Sequence, residues 1–409
     1  MTNLNCLIAE LCPDGVEYKP LGEIGTLIRG NGLQKKDFTE NGVGCIHYGQ
    51  IYTYYGAFTN KTKSCVSSEL AKQLKKVNTG DLIIAITSEN VEDVCKCVAW
   101  IGDEEIVTGG HSAIFKHNQD PKYLSYYFQS ASFFDQKRKI SNGTKVIEVS
   151  PQKLERVIVP IPPLPIQREI VQVLDNFTEL TAELTAELTA ELTARKTQYE
   201  YYRNELLTFN DDVEWKTLGE VCKKASNIKW TDESETHMYI DLTSVNRDDC
   251  SIGECITINA NNAPDRAKQV VLQGDILFGT TRPTLRRYCE VTLKYDGDIC
   301  STGYCILRAN NEKVNRRWIF HNVASTRFND YVEENQHGAS YPAISDKDVK
   351  TFCIPIPPLA EQKRIVAILD RFDTLTNDIT TGLPAEIEAR RKQYEYYRDK
   401  LLTFKEKTA

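Results

Sequence analysis

Apolar residues recur every three or four positions in two long stretches of this chain, and this spacing predicts two long helices. The stripe of the first stretch begins with Ile166, Ile170, Val173, Phe177, Leu180 and Leu184. Such a stripe is typical of a helix that pairs with another helix in a coiled coil. A helix from residue 166 to residue 208 would be about 65 Å long.

The centre of the first predicted helix contains three consecutive Thr-Ala-Glu-Leu units, at residues 181–192. Steps of four residues advance roughly 400° around a helix, so the leucine stripe drifts by about 40° per unit. The positions predicted to form the paired stripes are Leu180, Leu184, Leu188 and Leu192 in the first stretch and Leu375, Ile379, Leu383 and Ile387 in the second. The second stretch contains Gly382-Leu383-Pro384, and proline removes a backbone hydrogen bond. We therefore expect a kink or break there.

The two helical stretches belong to a long internal repeat. Residues 159–209 and 354–404 align without a gap, and 29 of the 51 positions are identical. Each copy opens with a proline-rich hinge and follows a long region of mixed sequence. A repeat of this length indicates two pseudo-symmetric halves, whose helices we expect to pair in antiparallel orientation.

The regions before the two hinges share a set of weaker signals. Gly80-Asp81 and Gly274-Asp275 each precede a β-rich apolar run, which predicts a turn followed by a buried strand. Aromatic segments at Tyr123–Phe134 and Trp318–Tyr331 are predicted to be helical. We therefore predict an α/β (α+β) fold with two globular domains joined by two long antiparallel coiled-coil helices. The predicted bounds are 1–158 for the first globular domain, 159–209 for its hinge and helix, 210–353 for the second globular domain and 354–409 for its hinge and helix.

Composition narrows the class of protein. Hydrophobic residues make up 41% of the chain, and no apolar run approaches the length of about 18 residues that a membrane span needs. The first residues lack a basic leader ahead of an apolar core, so no signal peptide is predicted. The 13 cysteines have no CxxC spacing, which favours reduced thiols in a cytoplasmic protein over zinc or disulfides.

Sequence motifs for catalysis are missing. The chain has no Walker-type phosphate loop, and its Pro-Pro pairs are flanked by Ile and Leu instead of the Asn/Asp and aromatic residues of adenine amino-methyltransferases. Its six histidines show no metal-ligand spacing. We therefore expect no catalytic residues, no metal and no cofactor in this chain.

Basic residues cluster locally although the net charge is −7. The segment Thr280–Tyr288 follows a predicted strand and contains three arginines, which could contact phosphates and read guanine edges. An ordinary solvated loop is the alternative for this segment, and a solvated face is the alternative for each lysine cluster. The candidate DNA-binding residues are Lys35, Lys36, Thr87, Ser88, Asn90, Lys137, Arg138, Lys145, Thr280, Thr281, Arg282, Arg286, Arg287, Ser340 and Tyr341.

Three features of the repeat together resemble one known family. They are the Pro-Ile-Pro-Pro-Leu hinge, the helix start Gln-x-x-Ile-Val-x-Ile/Val-Leu-Asp-x-Phe and the helix end Gln-Tyr-x-Tyr-Tyr-Arg-x-x-Leu-Leu-x-Phe. With the Thr-Ala-Glu-Leu units, they resemble the specificity subunit of type I restriction-modification enzymes. The resemblance covers nearly the whole chain, and it is strongest in the helices and weakest inside the globular domains.

The resemblance implies a non-catalytic DNA-binding subunit. Each globular domain would be a target recognition domain for one half of a bipartite site in double-stranded DNA, and the helices would set the spacer. It also implies two modification subunits, which methylate adenine with S-adenosylmethionine, and two restriction subunits, which use ATP and cut DNA. One alternative is a coiled-coil scaffold that assembles protein partners without DNA recognition, and another is a stand-alone nuclease or methyltransferase.

Overall fold

The chain folds into two compact units. The computed structural model describes residues 2–210, 212–378 and 381–407. One unit comprises Met1–Leu184 with Arg390–Ala409, and the other comprises Thr185–Ala389. Both unit boundaries fall inside the helical repeat, so each unit contains the beginning of one predicted long helix and the end of the other.

The first unit combines short helices with mixed sheets. In chain order its elements are α1 (Thr2–Leu11), β1 (Tyr18–Pro20), α2 (Leu21–Ile24), β2 (Gly25–Arg29), β3 (Val43–Ile46), α3 (Tyr48–Thr53), β4 (Phe58–Thr59), β5 (Ser64–Val66), α4 (Ser68–Ala71), β6 (Lys75–Val77), β7 (Leu82–Ala85), β8 (Thr87–Ser88), β9 (Cys97–Trp100), β10 (Ile106–Thr108), β11 (Ser112–His117), α5 (Pro121–Tyr127), α6 (Ala131–Ile140), β12 (Ile147–Glu148), α7 (Pro151–Leu154) and β13 (Ile158–Pro160). Helix α8 (Leu164–Leu206) then runs from this unit into the second.

The second unit repeats this plan with fewer elements. Its remaining elements are β14 (Trp215–Thr217), α9 (Leu218–Val221), β15 (Cys222–Lys223), β16 (His237–Ile240), β17 (Ile256–Ile258), β18 (Ala267–Val270), β19 (Ile276–Gly279), β20 (Tyr288–Glu290), β21 (Ile299–Ser301), β22 (Tyr304–Ala309), α10 (Arg316–Val323), α11 (Thr326–Asn335), α12 (Asp346–Thr351), β23 (Cys353–Pro355), α13 (Leu359–Asn377) and α14 (Leu383–Leu401). The last helix ends in the first unit.

Strand order confirms that the two halves share one scaffold. The first unit has the orders β1-β13, β5-β3-β10-β6, β2-β11-β7-β9-β4 and β12-β8, and the second has β14-β23, β17-β16-β21-β18 and β15-β22-β19-β20. Each sheet of the second unit has a counterpart in the first, with strands in corresponding positions. The predicted fold class, with two mixed helix-and-strand halves and a long helix, is therefore confirmed.

The two Gly-Asp signals begin strands inside these sheets, as predicted. All four residues of β7 and all four of β19 are buried. Gly80 and Gly274 adopt φ values of 91° and 86°, which favour glycine because it lacks Cβ. The Asp81 carboxylate accepts a hydrogen bond from Asn78 N at 2.8 Å, and it also pairs with a lysine. Asp275 repeats this arrangement with an arginine as its partner. The aspartate thus closes the turn and neutralises a cation at the start of the strand.

The two aromatic segments each form a pair of helices instead of one. Helix α5 ends before Ser130, which accepts a hydrogen bond from Phe133 N and begins α6. Ser325 caps α11 in the same way after α10. Serine is a preferred N-cap because its side chain satisfies a free backbone N–H at the start of a helix. The capping serines therefore divide what apolar periodicity alone predicts as single segments.

Each hinge helix is fixed to its own globular domain by one buried glutamine. Gln167 accepts a hydrogen bond from Asp120 N at 2.9 Å and donates one to Pro162 O at 2.7 Å. Gln362 accepts one from Asn315 N at 2.9 Å and donates one to Pro357 O at 2.8 Å. Buried amides need partners, and these pairs explain why both helix starts carry glutamine at the same place.

The predicted stripe of α8 is only partly a helix-pairing seam. Ile166 and Ile170 are buried in the core of the first globular domain, so the beginning of the stripe packs against a sheet-and-helix core. Among the repeat leucines, Leu188 is buried, Leu184 and Leu192 are half-buried, and Leu180 is 62% exposed. The burial of the leucines thus changes gradually from one unit to the next, as the predicted drift of about 40° per four-residue unit requires.

The second helical stretch is broken, as the Gly-Leu-Pro sequence predicts. Helix α13 ends at Asn377 and α14 begins at Leu383. A Cβ atom on Gly382 would lie 2.6 Å from Thr374 O, so the close approach of the chain at the break requires glycine. Of the predicted stripe, Leu383 is buried, Ile387 is half-buried and Leu375 is 37% exposed. Ile379 lies outside the described residues.

Tyrosines from the end of one repeat pack on the helix start of the other. In the first unit Phe177 contacts Tyr397 with ring centroids 6.1 Å apart, and Thr178 Oγ1 lies 2.9 Å from the hydroxyl of Tyr394. In the second unit Tyr199 stacks on Phe372 at 6.1 Å. The order of contacts in the first unit shows that the two helix segments run antiparallel there.

A partly buried ionic network joins helices α10 and α13 in the second unit. Arg317 Nη2 lies 2.8 Å from both the Asp370 and the Asp373 carboxylates, and Asp370 also accepts a hydrogen bond of 2.7 Å from His321. Burial disfavours the charge of Arg317, but the two aspartates outweigh it and raise the pKa of the guanidinium. The network therefore depends on the arginine for its charge balance.

Replacing Arg317→Met should destabilise the second unit strongly. Removing the arginine should cost about 1.5–3 kcal/mol, because the carboxylates of this partly exposed network lose their charge-assisted hydrogen bonds. The free energy of unfolding, measured by denaturant titration, would report the loss. The equivalent pair in the first unit, Lys122–Asp175, has similar exposure but joins its cation to one aspartate instead of two, so Lys122→Met is the matched control and should cost less. Equal stability of Arg317→Met and the unsubstituted chain would contradict this account.

Candidate nucleic-acid interface

The arginine-rich segment of the second unit is a rigid loop between β19 and β20. Thr280 is buried, and its hydroxyl donates a hydrogen bond to Gly303 O at 2.9 Å. A 3-10 turn at Pro283–Leu285 is flanked by Arg282 and Arg286, whose φ values are 48° and 52°. Left-handed conformations of non-glycine residues persist only where the surrounding structure imposes them, and they concentrate at functional sites.

A second segment lies against this loop and brings two predicted groups together. Thr281 pairs with Ala343, and Arg282 N donates a hydrogen bond to Pro342 O at 2.7 Å. Ser340 and Tyr341 are therefore adjacent to the arginine loop, and both are exposed. The Arg282 guanidinium lies over the Tyr341 ring, 4.7 Å from its centroid. A cation and an aromatic ring thus form one solvent-facing pair.

The other two arginines of the loop are less exposed than Arg282. Arg286 is half-buried, and its Nη2 donates a hydrogen bond to Ala324 O at 2.7 Å. Arg287 is half-buried, and its carbonyl oxygen accepts a hydrogen bond from Gly279 N at 2.7 Å. Thr281 is also half-buried. Arg282 is therefore the most exposed of the three predicted arginines.

The first unit builds the same pair of segments from different residues. Strand β8 pairs with β12, which sets Thr87 and Ser88 against the segment that contains Lys145. Asn90 closes the following turn by accepting a hydrogen bond from Asp93 N at 2.7 Å. Ser88 is half-buried, whereas Asn90 and Lys145 are exposed. The structure thus brings these predicted residues to one region, as it does in the second unit.

A cavity of about 350 Å³ opens beside the first-unit loop. It is lined by Tyr48, Tyr52, Thr87, Ser88, Glu89, Asn90, Asp93, His111 and Val146. The Tyr52 hydroxyl donates a hydrogen bond to Thr87 O at 2.6 Å, and Thr87 Oγ1 lies 3.0 Å from His111 Nδ1. The imidazole also contacts Tyr48, with ring centroids 4.9 Å apart. This arrangement presents an exposed imidazole and an aromatic wall next to the amide of Asn90.

Sequence reasoning missed His111 and Tyr48. His111 follows a Gly-Gly pair in a loop that the sequence does identify, but nothing in its spacing distinguishes it from other histidines. Tyr48 begins helix α3 and becomes part of the cavity only through the fold. Their grouping arises from loops distant in sequence, so a local pattern does not detect it.

The remaining predicted lysines and arginines have different environments. Lys35 and Lys36 are exposed on a 3-10 turn closed by reciprocal hydrogen bonds between Gln34 and Asp37. Burial and then the nearby charge of Lys35 lower the pKa of His47. The His47 ring lies 4.5 Å from that of Tyr48, which lines the cavity. Arg138 is exposed on α6.

Lys137 does not face solvent as a DNA contact would. Its side chain is buried, and Nζ donates hydrogen bonds of 2.8 Å to both Glu92 O and Val94 O. Burial lowers the pKa of this ammonium group. Because both acceptors are main-chain oxygens of the protein, we leave Lys137 out of the DNA contacts.

Two features are absent from the residues that the structure describes. They contain no group of three or more His, Cys, Asp or Glu side chains that could hold a metal ion. Within the same ranges, no helix is long and apolar enough to cross a membrane.

Comparison with known proteins identifies the repeated scaffold. The family described as type I restriction modification DNA specificity domain matches residues 13–194 and again residues 210–389. The chain is 36% identical over 277 residues to the EcoR124I/EcoR124II specificity subunit of Escherichia coli, a match that spans 63% of this chain and 65% of that relative. It is 30% identical over 402 residues to a putative type I specificity subunit, S.HindORF215P, of Haemophilus influenzae, spanning 95% of this chain and 96% of the relative.

A solved structure supports the fold over the same length. A chain from a study of complex assembly and conformational transition of the type I R-M system matches with a TM-score of 0.66 and 18% identity, covering 96% of this chain and 98% of that one. At this identity the match concerns the fold alone. The double family match and the near full-length relative show that this chain belongs to the type I restriction-modification DNA specificity family, whose domain it carries twice.

Proposed function

We propose that this chain is the DNA-recognition subunit of a type I restriction-modification complex and that each unit reads one half of a bipartite site in double-stranded DNA. The main support is that the two units share one scaffold but carry different side chains in corresponding loops. The same two segments meet in both units, but one presents Arg282 and Tyr341 and the other presents Ser88, Asn90 and Lys145. Different side chains at equivalent places suit half-sites of different sequence.

The chain's role in the complex would be non-catalytic and cytoplasmic. We propose that residues 1–158 and 210–353 are the target recognition domains and that the helical segments 159–209 and 354–409 set the spacer and bind the partners. Those partners would be two modification subunits, which carry S-adenosylmethionine, and two restriction subunits, which use ATP. A scaffold without DNA recognition is not favoured, because the whole repeat matches a DNA specificity family.

The helix surface that we propose for the modification subunits contains exposed tyrosines near the ends of the two helical repeats. The aromatic pairs Tyr199-Tyr202 and Tyr394-Tyr397 are natural candidates, but Tyr199 is buried against Phe372. Tyr201 and Tyr396, which occupy equivalent positions in the repeat, are 60% and 61% exposed. We therefore assign docking to the surface around these two tyrosines, since a matched pair of exposed rings suits two copies of one partner.

Replacing Arg282→Ala should weaken DNA binding by the complex with its modification subunits. Loss of a base contact would cost about 1–3 kcal/mol and relax one position of the second half-site. Loss of a phosphate contact would instead lower affinity for all sequences and reduce the salt slope by about one. Binding titrations at several salt concentrations distinguish these results.

Lys313→Ala provides the control for this test. The arginine loop adjoins the first residue of β22, Tyr304, which pairs with Gly279. Lys313 is exposed and lies beyond the opposite end of that strand. Its loss should leave affinity and salt slope unchanged. Equal binding by Arg282→Ala and the unsubstituted complex at low salt would show that the arginine segment is an ordinary solvated loop.

A further inference from the structure

The loop after β8 in the first unit is held by a side chain that does not belong to it. Lys137 lies on helix α6, and its ammonium group donates hydrogen bonds of 2.8 Å to the carbonyl oxygens of Glu92 and Val94. Ser88, Glu89 and Asn90 precede these two residues in the same loop. The loop ends at Cys95, which has a φ of 64°. One cation thus connects the helix to the part of the loop that carries the exposed polar groups.

Burial of an ammonium group costs free energy, so its use to hold a loop needs an explanation. Only 5% of Lys137 is exposed, and transfer of a charge from water is unfavourable unless it is hydrogen-bonded. The carbonyl oxygens of Glu92 and Val94 face this side chain, so they would lose both hydrogen bonds if the ammonium group were removed. An apolar residue of similar length would fill the space without fixing either carbonyl. The contacts therefore specify the path of the loop.

In the second unit the loop and the adjoining helices are also connected by a hydrogen bond, but the donor and acceptor are exchanged. Here the cation is on the loop: Arg286, with a φ of 52°, donates a hydrogen bond of 2.7 Å from Nη2 to Ala324 O. Ala324 is the C-cap of α10, the counterpart of α5. In both units, then, a left-handed residue and a cation–carbonyl hydrogen bond fix the loop to the adjoining pair of helices.

We propose that Lys137 and Arg286 are positioning residues that set half-site discrimination by fixing their loops, without touching DNA. This proposal rests on the proposed function, because it assumes that the loops read DNA. It assigns the two residues a role different from that of Arg282, which is exposed and free to contact DNA. Loss of a positioning residue should displace every DNA-contacting side chain of its loop. Loss of one DNA-contacting side chain should affect only the base pair that it contacts.

The test compares Lys137→Met with Lys137→Arg in the complex of this chain with its modification subunits. Binding is measured on cognate DNA and on DNA altered in one half-site at a time, at several salt concentrations. Lys137→Met should reduce discrimination at the first half-site by about tenfold, the size of one good base contact. Discrimination at the second half-site and the salt slope should stay the same, because no phosphate contact is lost. Lys137→Arg, which keeps a cationic donor, should restore discrimination.

Arg286→Met should give the mirror result, with loss confined to the second half-site. Lys139→Met is the matched control, because Lys139 is an exposed lysine on the same helix α6, and it should leave discrimination intact. If Lys137→Met does not fold, Arg286→Met carries the test, and it should reduce discrimination at the second half-site alone.

Several results would overturn the anchor role. A salt slope reduced by about 0.9 would identify Lys137 as a phosphate contact. Equal loss at both half-sites, or unchanged discrimination in a folded variant, would also exclude it. Absence of discrimination by the unsubstituted complex would instead refute the proposed function.

Discussion

Deleting residues 185–188 should shift methylation to a site whose two half-sites are unchanged but whose gap is shorter by one base pair. Helix α8 is continuous from Leu164 to Leu206 and crosses the boundary between the units at Leu184. One Thr-Ala-Glu-Leu unit is about 6 Å of helix, and B-DNA rises about 3.4 Å per base pair. Length alone therefore corresponds to one or two base pairs.

Helical rotation favours a change of one base pair. Four residues overshoot a turn of α-helix by about 40°, and one base pair turns B-DNA by roughly 35°. A deletion of one unit would consequently change spacing and rotation together. Because the units are identical in sequence, the deletion also moves Leu192 into the register of the buried Leu188, so the helix should remain packed.

The methylated positions in genomic DNA from cells that carry the variant and its modification subunit would reveal the gap. A length-preserving double substitution, Thr185→Ser with Glu187→Gln, is the control and should keep the original spacing. Efficient methylation at the original gap by the deletion variant would show that the repeats do not measure the spacer.

Exchanging residues 1–155 for those of a relative should replace one half of the DNA site and leave the other intact. The first unit has its own sheets and core, and its two loop segments, which contain β8 and β12, lie within residues 1–155. Specific sites are typically bound about 10³–10⁷ times more tightly than non-specific DNA. Methylation should therefore transfer almost completely to the hybrid site.

The reciprocal exchange of residues 210–353 with the same relative is the matched control and should change only the other half-site. Genomic methylation again provides the measurement. The two-reader interpretation would fail if either exchange altered both half-sites together.

Features that depend on local periodicity and on repetition could be predicted from the sequence of this chain. The continuous helix α8, the strands after Gly80-Asp81 and Gly274-Asp275, the break at Gly382-Pro384 and the equivalence of the two halves were all predicted correctly. Each depends on neighbouring residues or on comparison of the chain with itself. Backbone geometry and side-chain periodicity act over a few residues, so such features can be detected without knowledge of the fold.

Tertiary structure alone decided which predicted residues face solvent and which hold the protein together. Lys137 and Arg286 belong to basic clusters in the sequence, yet each donates hydrogen bonds to carbonyl groups far away in the chain. Tyr199 resembles a docking residue and is buried, whereas His111 and Tyr48 carried no signal and meet beside the first-unit loop. The reason is physical: a cation or an aromatic ring has the same local pattern whether its partner is water or a distant main-chain oxygen. Only the folded arrangement of loops and helices distinguishes the two.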